Sequence, residues 1–397
     1  MLKTMKQRIP PFWRGIIVYI FTFAAVGMYS PFINLALDAR GLTESQIGLF
    51  NAIPGAITIF SGPIISRMAD KRRQRLLFST IGFIMYGIFT ALMGIQWGFW
   101  WLLGLHIISA CITPPAMTLR EAIAARMTTK HGLSFGQWRM WGSFGFAVAS
   151  LSLGFLWQSI GIEWLFFITA VVFFLSAWIV NLLEEPEADQ EELLGSTQKS
   201  SWHEWLPRDV IVWLFLIAVM LAHMAMQPFY HFSAIHMIRL GGTETMAGVM
   251  RAASAFVEVL TMWWASKLIK KYGAVKVFMA GAAIFATSWL GFSLATQGWM
   301  LIAITAFRGI GFGLQAVAAV VYLDSKAKAS EAAGYQSLMN SLAMGIGPMI
   351  AGPLGGLLAQ EVGLSRLYGV ASIVGWTSVG VCLIIVFMQK RLTIRNS

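Results

Sequence analysis

Long apolar runs, separated by short polar segments, dominate the chain. A transmembrane helix needs about 20 consecutive apolar residues, and runs of at least that length, nearly free of charge, recur along the sequence. They lie at 15–37, 45–66, 76–119, 140–162, 164–183, 210–236, 245–266, 277–323, 332–360 and 367–389. The runs 76–119 and 277–323 are each long enough for two spans, divided at Gln96-Trp97-Gly98 and near Gln297-Gly298. The pattern predicts an all-α polytopic membrane protein with twelve transmembrane helices.

The segment 184–209 is the one extended polar stretch between spans. It is acidic at first and then rich in Gly, Ser and Thr, which is typical of a solvated tether. It divides the predicted spans six and six. We therefore expect an N-terminal six-helix bundle at 1–183, a linker at 184–209 and a C-terminal six-helix bundle at 210–397.

Composition supports the membrane class. The chain is 57% hydrophobic and 12% charged, whereas soluble domains carry about 25% charged residues. The net charge of +11 reflects topology, because most Lys and Arg residues, Arg120 among them, fall in loops on the side of the two termini. Only Arg40, Arg239 and Arg366 fall in the opposite loops. The positive-inside rule then places both termini in the cytoplasm, and we expect a bacterial-type inner membrane and no nucleic-acid partner.

The two halves repeat at an offset of 200 residues. Gly41, Thr43 and Glu44 recur as Gly241, Thr243 and Glu244. Gly48, Ser66, Lys71 and Gly98 likewise recur as Gly248, Ser266, Lys271 and Gly298. Parallel repeats related by an axis along the membrane normal are a transporter architecture, with the substrate at mid-membrane between the halves.

The loop after the second span resembles the motif G-x-x-x-D-[RK]-x-G-[RK]-[RK] of the major facilitator superfamily. Asp70, Lys71 and Arg75 match it, whereas Ser66 and Arg73 replace glycines and Gln74 replaces a basic residue. The resemblance implies that the loop forms a cytoplasmic gate, which breaks when the carrier changes face.

Other segments resemble the branch that contains lactose permease and the phenylpropionate and nucleoside permeases. The segment Gly27-Met-Tyr29-Ser-Pro31-Phe32 resembles its first helix, and the segment 135–146 resembles the start of its fifth helix. Glu121 lies eighteen residues before Arg139, the spacing of the sugar-binding pair in lactose permease. The segment 255–259 resembles the eighth-helix glutamate motif of the phenylpropionate-permease-like members. The resemblance thus implies the major facilitator fold and a substrate site that includes Glu121 and Arg139.

Three charges lie inside the later spans and mark a candidate coupling site. Arg251 and Glu258 are seven residues apart and share a helix face, and the depth of Arg308 falls between theirs. We interpret Glu258 and Arg308 as a pair across the eighth and tenth spans, with Arg251 nearby. Intramembrane ionisable residues usually mark pathways, so we assign proton coupling to Glu258, Arg308 and Arg251. A static structural pair is the alternative, as is a structural latch for Glu121 and Arg139.

Several further residues are weaker candidates for substrate contacts. In the first, fifth and seventh spans they are Tyr29, Asn34, Trp138, His223, Gln227 and Tyr230, and Arg308 joins them from the tenth span. Packing alone can explain the residues of the seventh span, and Trp138 can equally anchor the helix at the interface. The glycines of the segment 308–313 resemble a dinucleotide motif only superficially, because no strand precedes them. They favour close helix contact instead.

The sequence therefore favours a proton-coupled symporter that imports a small solute such as a sugar or glycoside, a nucleoside or an aromatic acid. The alternative is a proton-driven exporter of drugs or metabolites. A membrane enzyme or receptor is a third possibility, but no nucleophile–base pair or clustered metal ligands support an enzyme. The expected partners are substrate, proton and lipid bilayer. We expect no cofactor and no metal, and the resemblance implies a monomer.

Overall fold

The computed structural model describes residues 8–95, 98–185, 207–327 and 332–396, and within these ranges the chain forms helices and no strands. The described residues of the first half form eight α-helices. They are α1 (Pro11–Tyr29), α2 (Ile33–Ala39), α3 (Glu44–Arg72), α4 (Arg75–Met93), α5 (Phe99–Ile112), α6 (Pro114–Lys130), α7 (Phe135–Ile160) and α8 (Leu165–Ile179). Short 3₁₀ turns, Ile162–Trp164 and Val180–Leu182, flank α8.

The described residues of the second half form seven more α-helices. They are α9 (Val210–Arg239), α10 (Glu244–Tyr272), α11 (Ala274–Leu294), α12 (Gly298–Lys326), α13 (Ala332–Asn340), α14 (Gly347–Val362) and α15 (Leu364–Asn396). A π-helical segment, Ser341–Ile346, joins α13 to α14. The described residues thus include a helix at every predicted span, and adjoining pieces such as α5 and α6 build single spans.

Ten helical segments of the described residues are long and apolar enough to cross a membrane. The other two predicted spans, 45–66 and 245–266, lie within α3 and α10, each 29 residues long. At 1.5 Å per residue each is about 44 Å long, more than the hydrocarbon core requires. The predicted all-α polytopic fold is confirmed. Gln96 and Trp97, where we divided the third and fourth spans, lie outside the described residues.

By its internal contacts the chain divides into two compact units. The N-terminal unit comprises Met1–Leu42 and Ile53–Gln198, and the C-terminal unit comprises Thr43–Ala52 and Lys199–Ser397. The first turns of α3 therefore belong to the C-terminal unit, where Glu44 pairs with Arg239 at 2.6 Å. The predicted linker 184–209 falls largely outside the described residues, so the boundaries at 183 and 210 stay a prediction.

The internal repeat has a structural counterpart at the start of α3 and α10. Gly41 and Gly241 both have positive φ, 82° and 75°, a conformation that glycine adopts without steric cost. Two residues later, the hydroxyls of Thr43 and Thr243 each accept a hydrogen bond from the backbone N–H three residues on, at 3.3 Å. Equivalent residues thus turn and cap equivalent helices.

Candidate functional site

Glu258 on α10 forms an ion pair with Arg308 on α12. The Oε1 atom of Glu258 lies 2.6 Å from Nη2 of Arg308, and it accepts a hydrogen bond from the Ser254 hydroxyl at 2.7 Å. Arg308 Nη2 also donates to the same hydroxyl. Because Ser254 lies between Arg251 and Glu258 along α10, this contact matches the depth order that we predicted. The predicted Glu258–Arg308 pair is confirmed.

Glycines on α12 bring this pair together. A Cβ on Gly309 would lie 2.9 Å from the carbonyl oxygen of Ser254, and a Cβ on Gly313 would lie 2.9 Å from that of Glu258. The missing side chains therefore let α12 rest directly on the backbone of α10. Gly311 faces α11 instead, where its Cβ would meet the carbonyl oxygen of Gly281 at 2.9 Å. The predicted role of these glycines in close helix contact is confirmed.

Arg251 lies beside the pair, and within the described part of the chain none of its hydrogen-bond partners is a carboxylate. Its Nη2 atom donates to the carbonyl oxygen of Phe229 at 3.1 Å and to the Ser233 hydroxyl at 3.1 Å. Its guanidinium carbon lies 4.2 Å from the centroid of the Phe229 ring, and that of Arg308 lies 4.2 Å from the same centroid. Two cations thus stack on one aromatic ring, a favourable but weak arrangement for each.

The N-terminal unit contains a second charged cluster, centred on Glu121 of α6. Its two carboxylate oxygens contact Nη2 of Arg120 at 2.5 Å and the Tyr19 hydroxyl at 2.6 Å. Arg120 also donates to the Thr22 hydroxyl at 2.5 Å. Arg120 is only 1% exposed. The charge-free run ends at residue 119, but the placement of Arg120 in a cytoplasmic loop that it predicts is wrong. Helix α6 continues to Lys130 and buries Arg120.

Among the described residues Glu121 pairs with Arg120 and not with Arg139, which lies over the same aromatic ring as Arg120. Arg139 is exposed and its guanidinium carbon lies 4.3 Å from the Phe23 centroid, whereas that of Arg120 lies 4.8 Å from the same centroid. The N-terminal cluster therefore has the same content as the C-terminal one: two arginines, one glutamate and a shared phenylalanine. Arg120, the residue before Glu121 on α6, is its direct partner.

Trp138, a predicted substrate contact, is fully buried in the N-terminal unit. Its ring occupies the space where a Cβ of Gly15 would lie, at 2.0 Å, and it packs near Tyr19 with ring centroids 6.3 Å apart. In this structure Trp138 is a packing residue between α1 and α7.

Tyr29 lines a cavity of about 200 Å³ within the N-terminal unit. Its hydroxyl lies 3.7 Å from the Met93 sulfur, and its ring is 6.3 Å from that of Phe173. Tyr86 stacks on Phe173 at 4.9 Å, and His106 completes the polar part of the wall. Asn34 is buried in α2 and is not among the residues that line this cavity.

The candidates on α9 differ in how far they are open to a ligand. His223 contacts the carbonyl oxygen of Val219 at 3.0 Å, and Gln227 donates to that of His223 at 3.1 Å. These bonds stay within one helix, as packing alone would produce. Tyr230 is 39% exposed and lies beside Arg251, whose guanidinium carbon is 5.7 Å from its ring centroid. Tyr230 is therefore the α9 candidate next to the charged cluster.

The predicted gate motif is not confined to a loop: it covers the end of α3, the two-residue connection of Arg73 and Gln74, and the start of α4. Asp70 forms an ion pair with Arg75, and Lys71 is exposed. Arg73 has φ 53°, the positive-φ non-glycine residue of the described chain. The superfamily motif has glycine there, which adopts this left-handed conformation without the Cβ strain of other residues. The substitution thus changes the residue and retains the turn.

Glu184 and Glu185, two acidic residues that follow α8, bind three neighbouring segments of the N-terminal unit. Glu184 pairs with Arg14 at 2.8 Å and with His131 at 3.1 Å. The Glu185 carboxylate accepts the backbone N–H groups of Arg75 and Leu76 at 2.8 and 2.6 Å, and so caps the start of α4. Partial burial alone would raise the pKa of Glu184, but the hydrogen bonds from His131 and Arg14 outweigh it and lower the pKa.

These arrangements define a membrane transporter rather than a soluble binding protein, and comparison with known proteins agrees. The MFS_1 like family matches residues 12–370. The chain therefore belongs to this family of major facilitator transporters, and it is an integral membrane protein.

Its relatives are carriers of different solutes. The maltose permease of Geobacillus stearothermophilus is 24% identical over 94% of this chain and 94% of its own length. A probable 3-phenylpropionic acid transporter of Escherichia coli K12 is 24% identical over 88% of this chain and 90% of its own. The multidrug resistance protein MdtG of Dickeya zeae is 23% identical over 85% of each chain. The solved nucleoside transporter NupG superposes with a TM-score of 0.80 at 16% identity, covering 96% of this chain and all of its own, and so shows the fold.

Proposed function

We propose that the protein is a secondary active transporter that imports a small organic solute together with a proton. It works by alternating access, as a monomer in a bacterial-type inner membrane with both termini in the cytoplasm. The solute is a sugar or glycoside, a nucleoside or an aromatic acid. The observation that carries the proposal is the Glu258 carboxylate, held on α10 by Arg308 and Ser254 inside the C-terminal unit.

Glu258 can exchange a proton through its contact with Arg308. While the pair is closed, the arginine favours the charged carboxylate. If substrate or a change of face draws Arg308 away, the anion is left in a low-dielectric surrounding and takes up a proton. Proton uptake is then linked to substrate binding, as symport requires. Glu121, Arg139 and the residues beside them supply substrate contacts in the N-terminal unit.

The test is the external pH of proteoliposomes when a solute is added. Maltose, uridine and 3-phenylpropionate represent the three solute classes, with protein-free liposomes as the control for passive entry of the acid. We expect alkalinisation with one solute in the wild type and none in Glu258→Gln. The matched control is Glu361→Gln, which removes an exposed carboxylate near the end of α14.

Alkalinisation that survives in Glu258→Gln would remove Glu258 from the coupling role. External acidification would instead indicate antiport. That outcome would support the alternative, a proton-driven exporter of drugs or metabolites, which the similarity to MdtG favours.

A further inference from the structure

The buried charges of the C-terminal cluster do not balance. Arg251 is 8% exposed and Arg308 is 2% exposed. Within the described residues, the carboxylate that acts on both is Glu258, and its Oε1 atom is already bound to Arg308 and Ser254. One positive charge is thus left over inside a helical bundle, where ionisable groups are costly and usually functional.

Among the described residues, the hydrogen-bond partners of the second arginine, Arg251, are neutral groups. Nη2 of Arg251 donates to the carbonyl oxygen of Phe229 and to the Ser233 hydroxyl, and its guanidinium stacks on the Phe229 ring. Dipoles and an aromatic face solvate a cation, but they do not neutralise it. Because Arg308 stacks on the same ring, the two guanidiniums also repel each other.

Each arginine has a terminal nitrogen without an oxygen acceptor in the described part of the chain. Nη1 of Arg308 contacts only the Met226 sulfur, at 3.8 Å, and a thioether is a weak acceptor. Nη1 of Arg251 makes no hydrogen bond among the described residues. Tyr230, whose ring lies beside Arg251, is 39% exposed, so this side of the cluster reaches open space.

The N-terminal cluster has the same composition but does not pose the same problem. Its second arginine, Arg139, is exposed, so water can solvate it. Arg120, the buried arginine, has both Glu121 and Thr22 as partners. The uncompensated buried cation therefore belongs to the C-terminal unit.

We propose that Arg251 and Arg308 together bind the carboxylate of an organic monoanion, which is the transported substrate. The proposal rests on the transport function above and narrows its substrate class to acids. A carboxylate supplies the missing negative charge and two oxygen acceptors for guanidinium N–H groups, which makes charge-assisted hydrogen bonds. The bound carboxylate competes with Glu258 for Arg308, so substrate binding weakens the Glu258–Arg308 contact and favours protonation of Glu258.

The test compares each acid with its uncharged amide. Binding of 3-phenylpropionate and 3-phenylpropionamide, and of benzoate and benzamide, is measured on the purified full-length protein in detergent by ligand-dependent thermal stabilisation. We expect the acid to bind at least tenfold more tightly than its amide in one pair or both. In Arg251→Gln, the affinity for the acid should fall to the affinity for the amide. The control Arg366→Gln changes an exposed residue at the start of a helix and should bind both ligands as the wild type does.

The wild-type comparison decides the proposal even if Arg251→Gln does not fold. Acids that bind no better than their amides would overturn it, as would binding of maltose or uridine without binding of either acid. An advantage of the acid that persists in a folded Arg251→Gln protein would also overturn it. Binding in detergent is independent of proton movement, so tight acid binding without a pH change in proteoliposomes would contradict only the proposed coupling.

Discussion

The Glu258–Arg308 pair predicts an unusual order of stability among its variants. Arg308→Met removes a guanidinium that is 2% exposed and leaves Glu258 without its cation. Breaking a buried pair in this way costs about 3–5 kcal/mol. The Glu258 side chain is 21% exposed and keeps the Ser254 donor, so we expect the lower end, about 3 kcal/mol.

The double variant Arg308→Met/Glu258→Gln should be more stable than Arg308→Met alone. Replacing a buried ion pair by groups of similar volume is often neutral, and the second change removes the carboxylate that no longer has a guanidinium bound to it. The assay is unfolding of the purified protein by SDS at a fixed concentration of mild detergent, followed by tryptophan fluorescence. The control Glu361→Gln, made on the Arg308→Met background, should recover nothing because Glu361 is exposed.

A double variant that is as unstable as Arg308→Met, or less stable, would refute the reasoning. That result would mean that the charge of Glu258 is solvated without Arg308. The pair would then contribute little to holding α10 and α12 together.

Three further predictions concern the ends and the packing of helices. Arg73→Gly should raise the thermal midpoint, because a residue with a Cβ is strained by about 1 kcal/mol in the left-handed conformation and glycine is not. An unchanged or lower midpoint would mean that the turn is not strained. Glu184→Gln should lower the midpoint at pH 7 but less at pH 3, because a lowered pKa contributes stability that is present above the unfolded value of about 4.3 and is lost as pH falls through the folded pKa. An equal loss at both pH values would contradict it. Gly313→Ala should cost about 1–3 kcal/mol, since its Cβ would lie 2.9 Å from a carbonyl oxygen of α10, whereas Gly104→Ala, with nothing within 4 Å, should be tolerated in the same unfolding assay.

Much of the fold could be predicted because the bilayer imposes a simple rule on sequence. Apolar runs of sufficient length must become helices that satisfy their own backbone, and a helix is present at each run. The turn chemistry of Gly41 and Gly241 is local, so the repeat was also visible in the sequence. The Glu258–Arg308 pair could be predicted because two opposite charges at similar depth inside apolar helices have few other partners.

The partners of Glu121 could not be predicted in the same way. Helix α6 continues past the end of the apolar run, because a helix needs only backbone hydrogen bonds and tolerates polar residues such as Arg120. The adjacent residues Arg120 and Glu121 were the sequence feature that could have indicated this cluster. Because Arg120 was assigned to a loop, its pairing with Glu121 was not predicted. Tyr19, Thr22 and Phe23 gave no signal of their own, since aromatic and hydroxyl residues are common in apolar helices.

By itself, the sequence determined the helical membrane class, the internal repeat and the depths at which charges lie, because these depend on the order of residues along single helices. Only the tertiary structure decided which side chains meet: Arg120 rather than Arg139 on Glu121, two arginines on the Phe229 ring, and Glu184 between Arg14 and His131. Such contacts depend on which helices are neighbours and how closely they approach. Glycines such as Gly309 and Gly313 allow the close approach because they have no side chain. Which helix packs against them cannot be read from the glycines themselves, only from the folded structure.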